Sequence, residues 1–349
     1  MVIKRLAAVA LAVALVVGAV LVRARIDRSP TTAASGGPTA TSGSGGSSAA
    51  TTAPSVFTLV CVTELEAACR AAASDAGGKP AITVRIEEAG TTRNALTTAA
   101  DPTAVLSAWV TLSPWAELTD AARARAATPL STAFAASTPV ARSPIVVAVK
   151  ADRYDALDKV CSGAITWTCV GTNAGKPWST LGGQASWGAL YPAHADPTSS
   201  ATGLVALAGI VEAKVGSSTF TGTDLDNDNA FVSWISTFEK AVPRAAFDSN
   251  QGSPLQQLVA EPRYSVIATT AAETLVVRTS VVKAATPAPT VIAEAVVVPS
   301  AGVTLPTALA AALTKALIAR GWTPPGSGQT NAPSATTMEA LQQAWLRWR

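Results

Sequence analysis

The chain has 349 residues, 48% of them hydrophobic and 14% charged, with a formal net charge of +3. A chain this long and this apolar builds one large domain or two modest ones, with disorder confined to local stretches. Lys4, Arg5, Arg23, Arg25 and Arg28 against Asp27 carry the positive charge at the amino terminus; the near-neutral remainder excludes a nucleic-acid footprint, and a single histidine, His194, excludes a poly-histidine metal centre.

Lys4 and Arg5 precede an unbroken apolar run, Leu6 to Val22. At ~1.5 Å per residue it reaches roughly 26 Å, close to the thickness of a hydrocarbon core. Residues 1–28 are therefore expected to form a signal anchor, a transmembrane segment at the cell membrane; a cleaved signal at Val22-Arg23-Ala24 is the alternative. Residues 29–55 are almost all Ser, Thr, Gly, Ala and Pro, which bury little and form a disordered linker. A folded domain held outside the cytoplasm follows, or a secreted one if the signal is cut.

Val56 to Val62 is a β-favouring run, and Thr63-Glu64-Leu65-Glu66 has the form of a capping box opening a helix to about Ala73. Cys61 and Cys69 are eight apart, as are Cys161 and Cys169. Outside the cytoplasm an even count suggests disulfides; three connectivities are open, of which two local bridges are preferred. Ala81–Glu87 reads as a strand, followed by a Gly90-Thr91-Thr92 turn and a helical stretch at Pro102–Ala108. Trp109-Val110 leads into Ser113-Pro114-Trp115. Ile145–Val149 is a buried strand and Asp152–Val160 a helix. Leu190-Tyr191 closes a strand, and Asp196-Pro197-Thr198-Ser199-Ser200 opens a helix from Ala201 to Val215. Further helices are expected at Val232–Lys240, Pro254–Ala260 and Leu305–Arg320, and strands at Tyr264–Ala268 and Val291–Val298. Met338–Arg349 forms a short helix with Leu341, Trp345 and Trp348 on one side, to be buried on the body or turned to a partner or membrane surface. Alternating strands and helices give an α/β fold with mainly parallel sheets.

In such sheets ligands gather where strands end, and helix N-termini with Ser or Thr offer uncharged donors. Thr63, Thr91, Thr92, Thr198, Ser199, Ser200 and Thr202 sit in such turns, with Ser113 beside them and Trp115 and Tyr191 as a pocket floor. Other motifs fail. Asp224, Asp226 and Asp228 imitate a calcium loop, but Asn229 replaces its glycine and Ile235 its glutamate. His194 is expected at the surface or a pocket rim. With no nucleophile–base pair, paired carboxylates, metal-ligand spacing or cofactor fingerprint, the chain reads as a binding protein with no cofactor rather than an enzyme.

The Val56–Cys69 start, the Trp-x-x-x-Ser-Pro-Trp run ending at Trp115, Ser143-Pro144-Ile145-Val146-Val147-Ala148-Val149 and Asp196-Pro197-Thr198-Ser199-Ser200-Ala201-Thr202-Gly203-Leu204 resemble bacterial extracellular solute-binding proteins. These have the type 2 periplasmic-binding fold, and the likeness is nearest the molybdate- and sulfate-binding branch and its actinobacterial relatives. The resemblance implies two α/β lobes (56–146 with 266–325, and 147–265), crossovers at Ser143–Val149 and Tyr264–Ala268, and a tail at 326–349. It also implies a small polar or anionic ligand such as an oxyanion in the cleft, held by Thr63, Thr91, Thr92, Ser199 and Ser200, and an ABC permease as partner. The rival expectation is a cell-surface interaction module with a degenerate cleft, touching its partner through Trp345 and Trp348.

Overall fold

The computed structural model describes residues 56–77, 80–126, 130–247, 253–261, 264–326 and 333–349. The anchor expected at residues 6–22 and the linker at 29–55 lie outside them. Among the described residues no helix is long and apolar enough to cross a membrane.

The chain opens with β1 (Phe57–Val62), a short 3₁₀ turn at Thr63–Leu65 and α1 (Glu66–Ala76). The expected capping box does not form: the Thr63 hydroxyl donates to Glu64 Oε2 at 3.1 Å instead of accepting from the helix. β2 (Ile82–Glu87) runs into α2 (Ala89–Thr98), so Gly90, Thr91 and Thr92 form a helical first turn rather than the expected loop. Pro102–Ala104 is one 3₁₀ turn, not a helix; the chain then enters β3 (Ala108–Leu112) and α3 (Trp115–Ala124).

β4 (Thr138–Lys150) is the long strand that joins two sheets. Its first part pairs antiparallel with β8 (Ile292–Pro299), ending at Pro144 opposite Ile292. From Ile145 it pairs instead with β6 (Val266–Thr270) and, from Val147, with β7 (Val282–Ala285). The first sheet thus runs β2-β1-β3-β8-β4; the second continues from β4 through β6 to the two-residue β5 (Pro192–Ala193). β4 contains the segment Ser143–Val149 expected as the first crossover. The second, expected at Tyr264–Ala268, overlaps β6, which lies within the second sheet. The chain returns to the first sheet only between Ala285 and Ile292, so sheet membership changes there and not at residue 266.

The sheets are mixed, which corrects the expectation of mainly parallel ones. β1 pairs parallel with β2 and β3, and β5 with β6, while β3–β8 and every pairing of β4 are antiparallel. A strand that returns to the middle of a sheet from far along the chain leaves no local mark of its direction.

Between β4 and β6 come α4 (Ala151–Val160), α5 (Trp167–Asn173), α6 (Ala201–Val215), α7 (Gly222–Asn227), α8 (Asn229–Ala241) and α9 (Pro254–Ala260). α6 is apolar nearly all round and buried from Ala201 to Glu212, as a helix enclosed on every side must be. Ser200 caps it by accepting from the Gly203 N–H at 2.9 Å. The aspartates that imitate a calcium loop serve helix ends: Asp224 closes a capping box with Thr221, and Asp228 accepts from Ala230 and Phe231. The single-turn α10 (Ala271–Thr274) follows β6, and α11 (Leu309–Ile318) and α12 (Ala335–Trp348) end the chain.

The preferred local pairing of the cysteines is the one formed. Cys61 is bonded to Cys69 and Cys161 to Cys169, with Cα atoms 6.5 and 5.8 Å apart. Loops this short contribute about 2 kcal/mol each by the chain-entropy account. Replacing Cys161 and Cys169 together by serine is expected to lower the urea unfolding free energy by that amount; an unchanged midpoint would contradict it.

Candidate functional site

A cavity of about 500 Å³ opens where turns from the two sheets converge. From the first sheet come Thr63, Glu64 and Leu65 after β1, and Glu88 after β2; from the second, the 195–200 loop after β5 and Glu273 after β6. Phe247, Leu317 and Trp322 supply an apolar wall.

Four residues expected to bind ligand line this cavity: Thr63, Ser199, Ser200 and Thr202. The other six lie elsewhere. Thr91 is exposed on α2; Thr92 is buried and donates to Glu87 Oε2 at 2.8 Å. The Ser113 N–H donates to the Glu294 carbonyl, and Trp115 is wholly buried in the core. Thr198 donates to Asp196 Oδ1 through both its N–H and its hydroxyl, at 2.7 and 2.6 Å. Tyr191 lies off the cavity wall.

The donors at the α6 N-terminus already hold an anion belonging to the chain. Glu64 Oε1 accepts from the Ser200 hydroxyl at 2.6 Å and from the Thr202 N–H at 3.1 Å. A carboxylate here meets a free N–H and the positive end of the helix dipole. Opposite, Glu273 accepts from the Ser253 hydroxyl at 2.8 Å and from the Thr269 hydroxyl. Burial pushes the Glu273 carboxyl above its ordinary range, the two hydroxyls pull it down, and the charge of Glu64 pushes it up again.

The halves also touch directly beside the cavity. The Gly90 N–H donates to the Ser199 carbonyl at 2.9 Å. A Cβ on Gly90 would lie 2.3 Å from the Thr198 oxygen, and one on Gly203 2.4 Å from the Ala195 oxygen. Only glycine allows these backbones so close. Gly90→Ala is expected to force α2 off the 195–200 loop and cost 1–3 kcal/mol, the usual range for overpacking. Chemical denaturation measures this; an unshifted midpoint would show that the contact contributes nothing.

Behind the cavity wall lies a buried polar cluster that the sequence reading missed. His194 is fully buried, contrary to the expected surface or rim position. Its Nδ1 lies 2.8 Å from the Ala195 carbonyl and its Nε2 3.1 Å from Glu239 Oε1. The carbonyl can only accept, so Nδ1 donates, and the Nε2–Glu239 contact becomes an ion pair when the ring carries its second proton. Burial opposes that charge, but Glu239, the Ala195 carbonyl and Asp196 together raise the pKa above its ordinary value. Trp345 on α12 donates to the other Glu239 oxygen at 2.8 Å, and Phe247 from the cavity wall meets the Trp345 ring edge-on at 5.2 Å. Trp345 and Trp348 are both buried, which overturns the expectation that they touch a partner.

α12 also reaches both halves. Gln342 accepts from Arg93 on α2 at 3.0 Å and donates to the Pro197 carbonyl beside the cavity loop at 2.7 Å.

No protein-family model and no curated protein matches the chain. Solved structures do. A periplasmic thiamin binding protein superposes with a TM-score of 0.54 at 10% identity, over 84% of this chain and 96% of that one. Iron-bound HitA from Pseudomonas aeruginosa gives 0.51 at 11% identity, over 84% and 98%. AfuA from Actinobacillus pleuropneumoniae, with exogenous fructose-6-phosphate bound, gives 0.50 at 12%, over 84% and 95%. The fold is that of the periplasmic binding proteins. Identities this low carry the architecture and not the ligand. They do not single out the molybdate and sulfate branch, and the periplasmic-binding-fold structures matched are binding proteins rather than enzymes.

Proposed function

We propose that this chain is a membrane-tethered, extracytoplasmic solute-binding protein that takes a small polar solute into the cavity and presents it to an ABC permease. The observation that carries the reading is the cavity itself. It is built from strand-end turns of both sheets, on a fold shared with proteins that bind small solutes. The apolar run at residues 6–22 would be the tether. Binding would favour the closed arrangement in which Glu64 meets Ser200 and Gly90 meets Ser199, a shift between states and not a new fold.

A thermal-shift and calorimetric panel of oxyanions, sugars, amino acids and amines tests the reading. At a hundredfold excess over Kd a solute adds about 2.7 kcal/mol. For a chain of this size that corresponds to a rise of roughly 5 °C in Tm. No shift and no heat with any member would contradict solute binding.

α12 favours a second reading. A helix bonded to both halves restrains their separation, as in a non-transport surface module that keeps the fold but not its motion. Small-angle scattering with and without a bound solute separates the two, since only the first predicts a ligand-dependent change in radius of gyration.

A further inference from the structure

The cavity's charges and its apolar wall together narrow the class of solute; the argument rests on the solute-binding reading above. Four acidic residues line the space: Glu64, Glu88, Asp196 and Glu273. Arg320 is the one cationic side chain lining it among the described residues. Its guanidinium Nη1 donates to the Ala316 carbonyl of its own helical segment at 2.7 Å.

An oxyanion would need the N–H and hydroxyl donors at the α6 N-terminus. Those donors are spent on Glu64, which bonds Ser200 and Thr202. An incoming anion would have to evict that carboxylate and then lie among the remaining acids, with little positive charge to offset them. A cation meets the reverse conditions. Glu64 stands on the first sheet's side and Glu273 on the second's, two acids lining one cavity, so their like charges repel across it. A positive group between them relieves that repulsion and draws the two halves together.

The rest of the wall is apolar. Phe247, Leu317, Trp322 and Val276 offer carbon surface to the body of a solute. Phe247 is held by its edge-on contact with Trp345, so its position is fixed before a solute arrives. Aromatic faces also attract cations once water is excluded.

We propose that the cavity selects a solute carrying a positive charge on an apolar body, a primary or quaternary ammonium, with Glu273 and Glu64 on the charge and Phe247 and Trp322 on the body.

Calorimetric titration of the full-length protein in detergent tests this with six probes: phenethylamine, tetraethylammonium, sulfate, molybdate, glucose and glycine. The expected result is saturable heat with phenethylamine or tetraethylammonium and none with the two oxyanions. Glu273→Gln and Glu64→Gln are each expected to weaken cation binding at least tenfold, with circular dichroism confirming the fold. Glu88→Gln, a side chain that does not cap α2, provides a milder variant, expected to weaken it severalfold. Binding of sulfate, molybdate or glucose in preference to the cations would overturn the charge assignment and leave solute binding standing. Cation binding unchanged in all three variants would overturn it equally. Silence from all six probes would contradict this assignment together with the solute-binding reading.

Discussion

Trp345→Ala is expected to lower the unfolding free energy by about 4 kcal/mol, the middle of the range for removing a buried large aromatic. Trp345 has no exposed surface and is packed among Phe247, at 5.2 Å, and His194, at 6.4 Å between ring centroids. Truncation leaves a void between α12 and α8 and removes the indole N–H from Glu239 Oε2. A buried acceptor that loses a donor adds the cost of its unmet desolvation. Trp345→Phe keeps most of the volume and loses the donor, so its cost should fall between wild type and alanine. Urea unfolding followed by circular dichroism measures both. A loss below 1 kcal/mol for Trp345→Ala would show that α12 is a loosely attached tail. The same variant should also disturb solute binding, because Phe247 loses the ring that fixes it.

Glu239→Ala should be comparably severe, at about 3–5 kcal/mol, the range for breaking a buried ion pair on one side. It strands the His194 imidazolium in a site with no exposed surface and leaves the Trp345 N–H without its acceptor. The pair also sets a pH dependence. His194 is raised above the ordinary histidine value, so its stabilising share is fully present below about pH 6.5. That share is lost as pH rises through the higher folded value. Thermal stability is therefore expected to fall as pH is taken upward from 6.5. Glu239→Gln, which keeps the shape and removes the charge, should flatten that slope. A slope of the same sign and size in the glutamine variant would place the pH dependence elsewhere.

What could be read along the chain is what local chemistry writes there. Ser200 as a cap, the apolar helix from Ala201 to Val215 and the terminal helix with Leu341, Trp345 and Trp348 on one side all follow from near neighbours. The cysteine spacing of eight likewise pointed to the local bridges. α2 was hidden because Gly90, Thr91 and Thr92 have turn chemistry. Gly90 is there for a different reason, the close passage of the 198–199 backbone. The antiparallel return of β8 between β3 and β4 depends on pairings such as Ala141 with Ala295, which no local pattern encodes.

The candidate site divides the same way. The hydroxyl turn at 199–202 was visible as helix-start chemistry and does reach the cavity. The anion it holds is the chain's own Glu64 and not a ligand, and that left no local signal because Glu64 enters from 136 positions away. Glu88, Glu273 and Phe247 carry no motif; each is an ordinary side chain until the fold brings it to the same space. Nothing near His194 in sequence shows Glu239, 45 positions on, completing its buried pair.

Filling the cavity should abolish solute binding. Ala67 lines it from the exposed side of α1, so a large side chain there can enter the space without displacing the buried core. Solute titrations of the wild type and Ala67→Trp, run side by side with thermal unfolding, give the comparison. Saturable binding is expected in the wild type, its loss in Ala67→Trp, and an unfolding temperature without solute that is the same for both. Equal solute affinity in the two proteins would contradict it, because binding would then lie outside the space between the two sheets.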